Sequence, residues 1–301
     1  MSVQPEKVSV PPEGTGQPEQ AGQPEHAVPP EDKWQPEAAD VRPEWAPLTV
    51  DLDRPSAARV WDFLLGGSHN FRVDRAFARE MMIQMPDAQV IARENRAFLR
   101  RAVRFLSEQG ITQFLDIGSG IPTVGNVHEA ARAVRPGARV VYVDNDPVAV
   151  THGSALLKDD PNTLVIEGDL GSPGAFLGAG GAADLLDFTR PVAVLLLAVM
   201  HFVPDSADPA GIMAQIRERL APGSYLVMVH GSAETDAHHA VQEMYQRTPT
   251  ALTMRPRAEI LRLFDGFELV APGLVSPSDW RPEPPGEPVL KSPGYAGVGR
   301  L

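Results

Sequence analysis

Three groups of residues in the middle of the chain have the spacing that a nucleoside ligand needs. The first is Asp116, Gly118, Ser119 and Gly120, directly after the apolar run Phe114–Leu115. Glycines at a strand-to-helix turn let the backbone approach a ligand, and a helix start offers unpaired N–H groups. The second is Asp144 with Asn145 and Asp146, after Val140–Val143. A carboxylate just past a second strand can accept both hydroxyls of a ribose. The third is Gly168, Asp169 and Leu170, where a carboxylate and an adjacent N–H can read an adenine edge. Taken in order, the three describe an adenosine-shaped site. A dinucleotide fingerprint needs a third glycine where Thr123 stands. No G-x-x-x-x-G-K-[ST] run exists, which excludes a P-loop.

Two histidines follow later strand candidates. His201 comes after the apolar run Val192–Met200, and His230 closes Tyr225–Val229. A histidine at either place can take a proton near neutral pH or can bond its own loop. His238 and His239 have no third ligand at metal spacing and read as surface residues. Asp146 and Asp205 read as cap or turn residues. No metal site is expected.

The elements that must position these residues follow from periodicity. Ser56–Leu65 predicts a short helix stopped by Gly66 and Gly67, and Asp74–Met82 a second. Ala88–Ser107 is amphipathic, with Ile91, Phe98, Leu99, Ala102, Phe105 and Leu106 on one face. Arg93, Arg96, Arg100, Arg101 and Arg104 lie mainly elsewhere and read as its solvated face. Asn95 sits on the apolar face, where it either caps a loop or faces a polar pocket. Beyond Gly110, strands and helices alternate. Strands are expected at 112–117, 139–143, 163–167, 192–200 and 225–230. Helices are expected at about 124–134, 148–157, 209–220, 233–246 and 257–264, and 267–270 and 295–301 form a closing antiparallel pair. This is an α/β series, a doubly wound sheet whose ligands sit beyond the carboxyl ends of its strands.

Composition narrows the class. The 301 residues carry a formal charge of −12, which argues against nucleic-acid coating or anionic membranes as partners. Cysteine is absent, which excludes disulfides, thiolate-bound metals and thiol catalysis. The longest apolar run, Val192–Met200, is about half of a membrane span. No signal-peptide pattern opens the sequence, so a cytoplasmic protein is expected. Residues 1–50 hold 10 of the 30 prolines and a recurring Pro-Glu pair. They read as an extended, disordered tail. Trp34 and Trp45 are its large apolar anchors, either of which can pin it to the domain.

With these motifs in order, the sequence resembles the class I S-adenosylmethionine-dependent methyltransferases. More closely it is similar to an actinobacterial S-adenosyl methyltransferase family of unassigned substrate. The finer likeness is carried by Arg59–Phe71, Glu94–Ala102, Phe114–Thr123, Val143–Pro147 and Ala198–Asp205. The resemblance implies a Rossmann-like, seven-stranded methyltransferase sheet over 111–301, with an N-terminal helical cap over 51–110. It implies S-adenosylmethionine as cofactor. Gly118, Ser119 and Gly120 would hold its methionine end, with Asp116 orienting the turn. Asp144 would take the ribose, Asn145 would border the adenine, and Asp169 and Leu170 would read it. Ala198 would approach the sulfonium carbon. Pro122 stands where many relatives carry a glycine.

Asn70, Phe71, Asn95 and Arg96 are then candidates for the acceptor pocket or for a satisfied cap. Trp280 lines the acceptor side or plugs the core. His201 is the candidate catalytic base, with His230 a second substrate-facing histidine. The expected activity is methyl transfer to a small-molecule acceptor, on oxygen or nitrogen, in secondary metabolism. A protein or peptide acceptor and a non-catalytic S-adenosylmethionine-binding regulator stay open.

Overall fold

A computed structural model describes residues 42–122, 125–282 and 294–301. The chain opens with three helices, α1 (Ala57–Leu64), α2 (Arg72–Gln84) and α3 (Ala88–Glu108). Strands and helices then alternate: β1 (Gln113–Ile117), α4 (Val127–Arg132), β2 (Arg139–Asp144), α5 (Pro147–Leu157), β3 (Thr163–Glu167) and α6 (Gly174–Leu177). They continue as β4 (Ala193–Leu197), α7 (Pro209–Glu218), β5 (Tyr225–His230), α8 (Asp236–Tyr245), α9 (Arg257–Arg262), β6 (Glu268–Leu269) and β7 (Tyr295–Arg300). One seven-stranded sheet results, in the order β3-β2-β1-β4-β5-β7-β6. β1 to β5 run parallel, and β7 pairs antiparallel with β5 and β6. The order reverses between β1 and β4, which opens a crevice beyond their carboxyl ends.

Successive strand residues point to opposite faces, so each strand feeds two cores. Leu115, Ile117, Val141, Val143, Val194, Leu196 and Met228 face one side, where Ile212, Ile216, Ile260 and Phe264 cover them. Phe114, Val140, Tyr142, Ala193, Leu195 and Val227 face the other, under Phe98, Leu99, Ala102 and Leu106 of α3. Both faces are dry, which is why these strands read as nearly continuous apolar runs. Trp280 is fully buried in the second core, edge-on to Phe98 and Phe105 at ring separations of 5.4 and 5.7 Å. It plugs the core and does not line an acceptor site.

Helix boundaries fall within a few residues of the sequence pattern. The main departure is α4, which begins at Val127, capped at Asn126, and not directly behind the glycine turn. The short α6 carried too few residues to give a period. Gly66 caps α1 at φ +83°, as expected, but Gly67 serves its own helix: a Cβ there would lie 2.0 Å from Asp62 Oδ1. Within the expected tail, residues 1–41, Trp34 included, lie outside the described residues. Residues 42–50 run along the domain. Arg42 bonds the Pro47 and Val50 carbonyls, and Trp45 stacks on Phe71 at 5.5 Å. Among the described residues, no helix is long and apolar enough to cross a membrane, and no cluster of side chains suits a metal ion.

A buried cation ties the N-terminal helices to the sheet. Arg59 of α1 is 3% exposed. Its Nε donates to Asp74 of α2 at 2.9 Å, and Nη1 lies 3.7 Å from Asp146, the N-cap of α5. Its Nη2 donates to the carbonyls of Asp51 and Arg54 at 3.1 and 2.7 Å. Asp74 also accepts from the Ser56 and Phe71 N–H groups at 2.9 and 2.8 Å. Burial raises the Asp74 carboxyl, and the Arg59 charge opposes that rise. Arg59→Ala strands this carboxylate, so it is expected to cost about 3–5 kcal/mol in urea unfolding. Asp74→Asn added to it should recover part of the loss; a single-variant cost below about 1 kcal/mol contradicts the arrangement.

Candidate active site

Each strand end contributes by a separate local mechanism. After β1 the backbone turns through Gly118 and Gly120, at φ +70° and +66°. Position 118 is glycine for a second reason: a Cβ there would meet Val199 Cγ2 at 2.3 Å. The β4 loop therefore presses directly on the turn. Ala198, just before Val199, itself sits in the left-handed region at φ +57°, and its N–H bonds the Val229 carbonyl at 3.0 Å. A non-glycine residue held there is strained backbone, fixed by its surroundings.

The turn's N–H groups are committed inside the protein. Gly118 and Ser119 donate to the Val143 carbonyl at 2.8 and 3.2 Å, and Gly120 donates to Asp144 Oδ2 at 2.7 Å. The expected N–H cradle is therefore replaced by a turn braced from β2, which leaves its carbonyl oxygens as the groups for a ligand donor.

Asp144 is buried at the end of β2. Its Oδ1 accepts from the Asp146 N–H at 2.8 Å while Oδ2 holds Gly120. Each oxygen keeps a lone pair, which suits two neighbouring hydroxyls. Burial pushes this carboxyl up to about 6, against those backbone bonds. Asp146 is a helix cap, accepting from the Val148 N–H at 2.8 Å and from Ser56 Oγ. At the end of β3, Asp169 is exposed and its Oδ1 accepts from the Gly171 N–H at 2.7 Å. Leu170 is buried beside it, and Asn145 is exposed.

Asp116 lies below the glycine turn. Burial raises its carboxyl to about 7, with Arg96 pulling it down and Asp144 pushing it up. Arg96 Nε and Asn95 Oδ1, both on α3, are buried without hydrogen-bond partners among the described residues. One cavity of about 560 Å³ collects these groups. Asp116, Gly118, Ser119, Gly120, Asp144, Asn145, Asp169, Leu170 and Ala198 all line it, and so do Asn95, Arg96, His201 and His230. Asn95 thus faces a pocket and does not cap a loop.

Asn70 and Phe71 do not line it. The Asn70 amide donates to Asp62 Oδ2 and the Gly67 carbonyl at 2.8 and 2.9 Å. Phe71 packs with Ile121 and Val148 behind the glycine turn, with the Arg59 guanidinium 5.2 Å from its ring centre. Their proximity to Gly66 and Gly67 reflects the Asp62 contact, not a ligand. His238 was expected on the surface but is buried and lines the cavity, whereas His239 is exposed.

The histidines have fixed protons. His230 Nδ1 donates to the Gly231 carbonyl at 2.7 Å, and its Nε2 accepts from Arg255 at 3.1 Å. Burial lowers this ring to about 4. His201 Nδ1 accepts from the Gly231 N–H at 3.2 Å, which puts its proton on Nε2. Burial, His230 and Arg255 hold His201 well below the usual histidine range. Both rings are neutral, and neither offers the free lone pair of a base. Arg255 was not singled out by sequence because it follows no motif. Buried, it also bonds the Val203 carbonyl at 2.8 Å and Asp205 at 2.6 Å, so Asp205, which opens the turn Asp205–Ala207 as expected, is an ion-pair partner as well.

The site fits S-adenosylmethionine. It offers a paired acceptor for ribose at Asp144, turn carbonyls and Asp116 for an ammonium, and a buried cation at Arg96 for a carboxylate. Comparison with known proteins agrees. A protein from Thermobifida fusca YX, described as a methyltransferase, is 42% identical over 86% of this chain and 99% of its own, with a TM-score of 0.81. A DUF574-family protein from Streptomyces avermitilis MA-4680 is 39% identical over 83% and 98%, with a TM-score of 0.79. No curated protein matches the sequence. The family model described as S-adenosyl methyltransferase matches residues 43–301. With the glycine turn, Asp144 and the cavity all inside that span, the chain belongs to the S-adenosyl methyltransferase family and uses S-adenosylmethionine as its cofactor.

Proposed function

We propose that this methyltransferase acts on a small-molecule acceptor, at oxygen or nitrogen, of the kind met in secondary metabolism. The observation that carries the small-molecule reading is the cavity of about 560 Å³. It runs from the strand ends to a wall built by α1, α2, α8 and residues 249–254. Residues 51–110 act in this reading as a cap over the site, which favours an enclosed acceptor over a protein chain.

S-adenosylmethionine, held at the strand ends, would supply an electrophilic methyl group for the acceptor's lone pair. The chain's own residues then have three tasks. Asp144 accepts from the ribose hydroxyls while Gly120 and Asp146 hold its two oxygens in place. Asp116 and the turn carbonyls take the ammonium, and Arg96 takes the carboxylate. Asp169, with Oδ2 outside its own turn, accepts from the adenine amine beside the Leu170 N–H. Enclosure by the cap excludes water and aligns the acceptor, and positioning alone supplies much of a methyl-transfer rate. The commitment of both histidines favours a second reading, a protein that binds the cofactor and signals without turnover. Slow methylation of an excess of varied acceptors, scored as S-adenosylhomocysteine release, separates the two.

Asp144→Ala should weaken S-adenosylhomocysteine binding at least about a hundredfold, the value of two hydrogen bonds to a charged group. Asp144→Asn should do no better, because each oxygen faces a backbone N–H and the new amide would meet a donor. Calorimetric titration checks both, and wild-type affinity in the asparagine variant contradicts the assignment.

The pH dependence follows from burial. Without ligand, Asp144 and Asp116 ionise at about 6 and about 7. The bound cofactor needs both charged. Affinity for S-adenosylhomocysteine should therefore tighten as pH rises through 6 and 7 and level off above, by up to about tenfold per unit per group. Stability of the free protein runs the other way. Both carboxyls are raised from 3.8, so their contribution is present below about pH 4 and lost as pH rises through 6 and 7. The ligand-induced rise in Tm should be larger at pH 8 than at pH 5.5. Asp116→Asn should remove the upper step, and an unchanged profile contradicts its role.

A further inference from the structure

The cap-side wall of the cavity is built from Trp61 and Leu64 of α1, Met81 of α2, Phe202, Tyr245 of α8 and Met254. These side chains belong to the apolar cluster that joins α1, α2 and α8. Every carboxylate that lines the cavity, Asp116, Asp144 and Asp169, stands at a strand end, and the lining cation is Arg96. The three lining histidines, 201, 230 and 238, are all lowered by burial and so are neutral. The cap side therefore holds no counter-charge among the described residues. A charged group placed there would lose its hydration with nothing to replace it. Aromatic and thioether walls suit flat rings.

The polar groups that remain are few. His201 has its Nδ1 lone pair taken by the Gly231 N–H, so Nε2 carries the proton. That geometry is braced on both sides of Gly231, whose carbonyl accepts from His230 Nδ1 at 2.7 Å. His230 is fixed in turn by Arg255 at 3.1 Å. Asn95 Oδ1 is 7% exposed as a residue and without a partner.

We propose that the cap side takes a neutral, ring-bearing small molecule, and that His201 meets one of its oxygens as a hydrogen-bond donor and not as a base. This rests on the assignment of the strand ends to S-adenosylmethionine. A donor on the reacting atom would draw electron density from it and weaken its attack on the methyl group. The oxygen that His201 meets is therefore a neighbour of the methylated atom, and His201 is a positioning residue. Asn95 Oδ1 accepts from a second ligand group or from a bridging water.

The test uses the full chain saturated with S-adenosylhomocysteine and three naphthalenes of one shape: 2-acetylnaphthalene, 2-isopropenylnaphthalene and 2-naphthoate. Calorimetry should find the ketone bound about three- to tenfold more tightly than the alkene, one neutral hydrogen bond. The carboxylate should bind most weakly. His201→Phe should bring the ketone down to the alkene and leave the alkene unchanged. Tightest binding by the carboxylate, equal binding of ketone and alkene, or no binding of any probe each overturns the proposal. Failure of S-adenosylhomocysteine itself to bind instead overturns the assignment beneath it. If His201→Phe does not fold, nitrogen-15 spectra of the wild-type histidines decide. His201 should show a bare Nδ1 and a protonated Nε2, unmoved between pH 8 and 6. The opposite tautomer, or titration in that interval, overturns the donor role.

Discussion

One buried carboxylate organises the site. Asp144 sits where β1, β2 and the ligand crevice meet, and its two oxygens brace two loops at once, through Gly120 and Asp146. The glycine turn cannot satisfy itself. Its N–H groups point at β2, so its shape depends on the Val143 carbonyl and on this carboxylate. Burial makes the Asp144 charge costly in the free protein, and a ligand with two adjacent hydroxyls supplies the donors that a charged carboxylate lacks there. In the proposed reading, recognition and local structure use the same side chain.

A second layer repeats the device with the signs mixed. Asp146, held by Asp144, receives Ser56 and Arg59 from the N-terminal helices. On the other side of the crevice, Arg255 gathers the turn that carries His201, the ring of His230 and Asp205. Both arginines are buried, and both bond main-chain carbonyls as well as acids. Such clusters lose more from the removal of one member than they add over an apolar core. Here they tie the N-terminal helices to the Asp144–Asp146 loop, and the turn after β4 to β5.

What could be read from sequence followed the range of the interactions. Strands β1 to β5 were legible because both faces are buried and their residues are nearly all apolar. Asp116, Gly118, Asp144 and Asp169 were legible because each falls just past such a run. Contacts between distant segments were not. Nothing near Gly118 announces that Val199 fills its missing Cβ, and nothing near Arg255 announces His230. Asn70 and Phe71 misled for the same reason, since Gly66 caps its helix and Gly67 makes room for Asp62, five residues back. Arg96 was ambiguous on a helix rich in arginine; only packing separates it, turned into the cavity, from the exposed Arg93, Arg100 and Arg104. The proton positions of His201 and His230 depend on the N–H and carbonyl of one residue, Gly231, that no motif marks.

Asp144 and Asp146 tie the glycine turn to the N-terminal helices. Hydrogen exchange of the full chain, with and without saturating S-adenosylhomocysteine, tests it most directly. Joint protection of the Gly118–Gly120 turn, the Asp144–Asp146 loop and the Ser56–Asp74 segment is expected. Protection confined to the strand ends, with binding independently demonstrated and the Ser56–Asp74 segment exchanging as before, would contradict it.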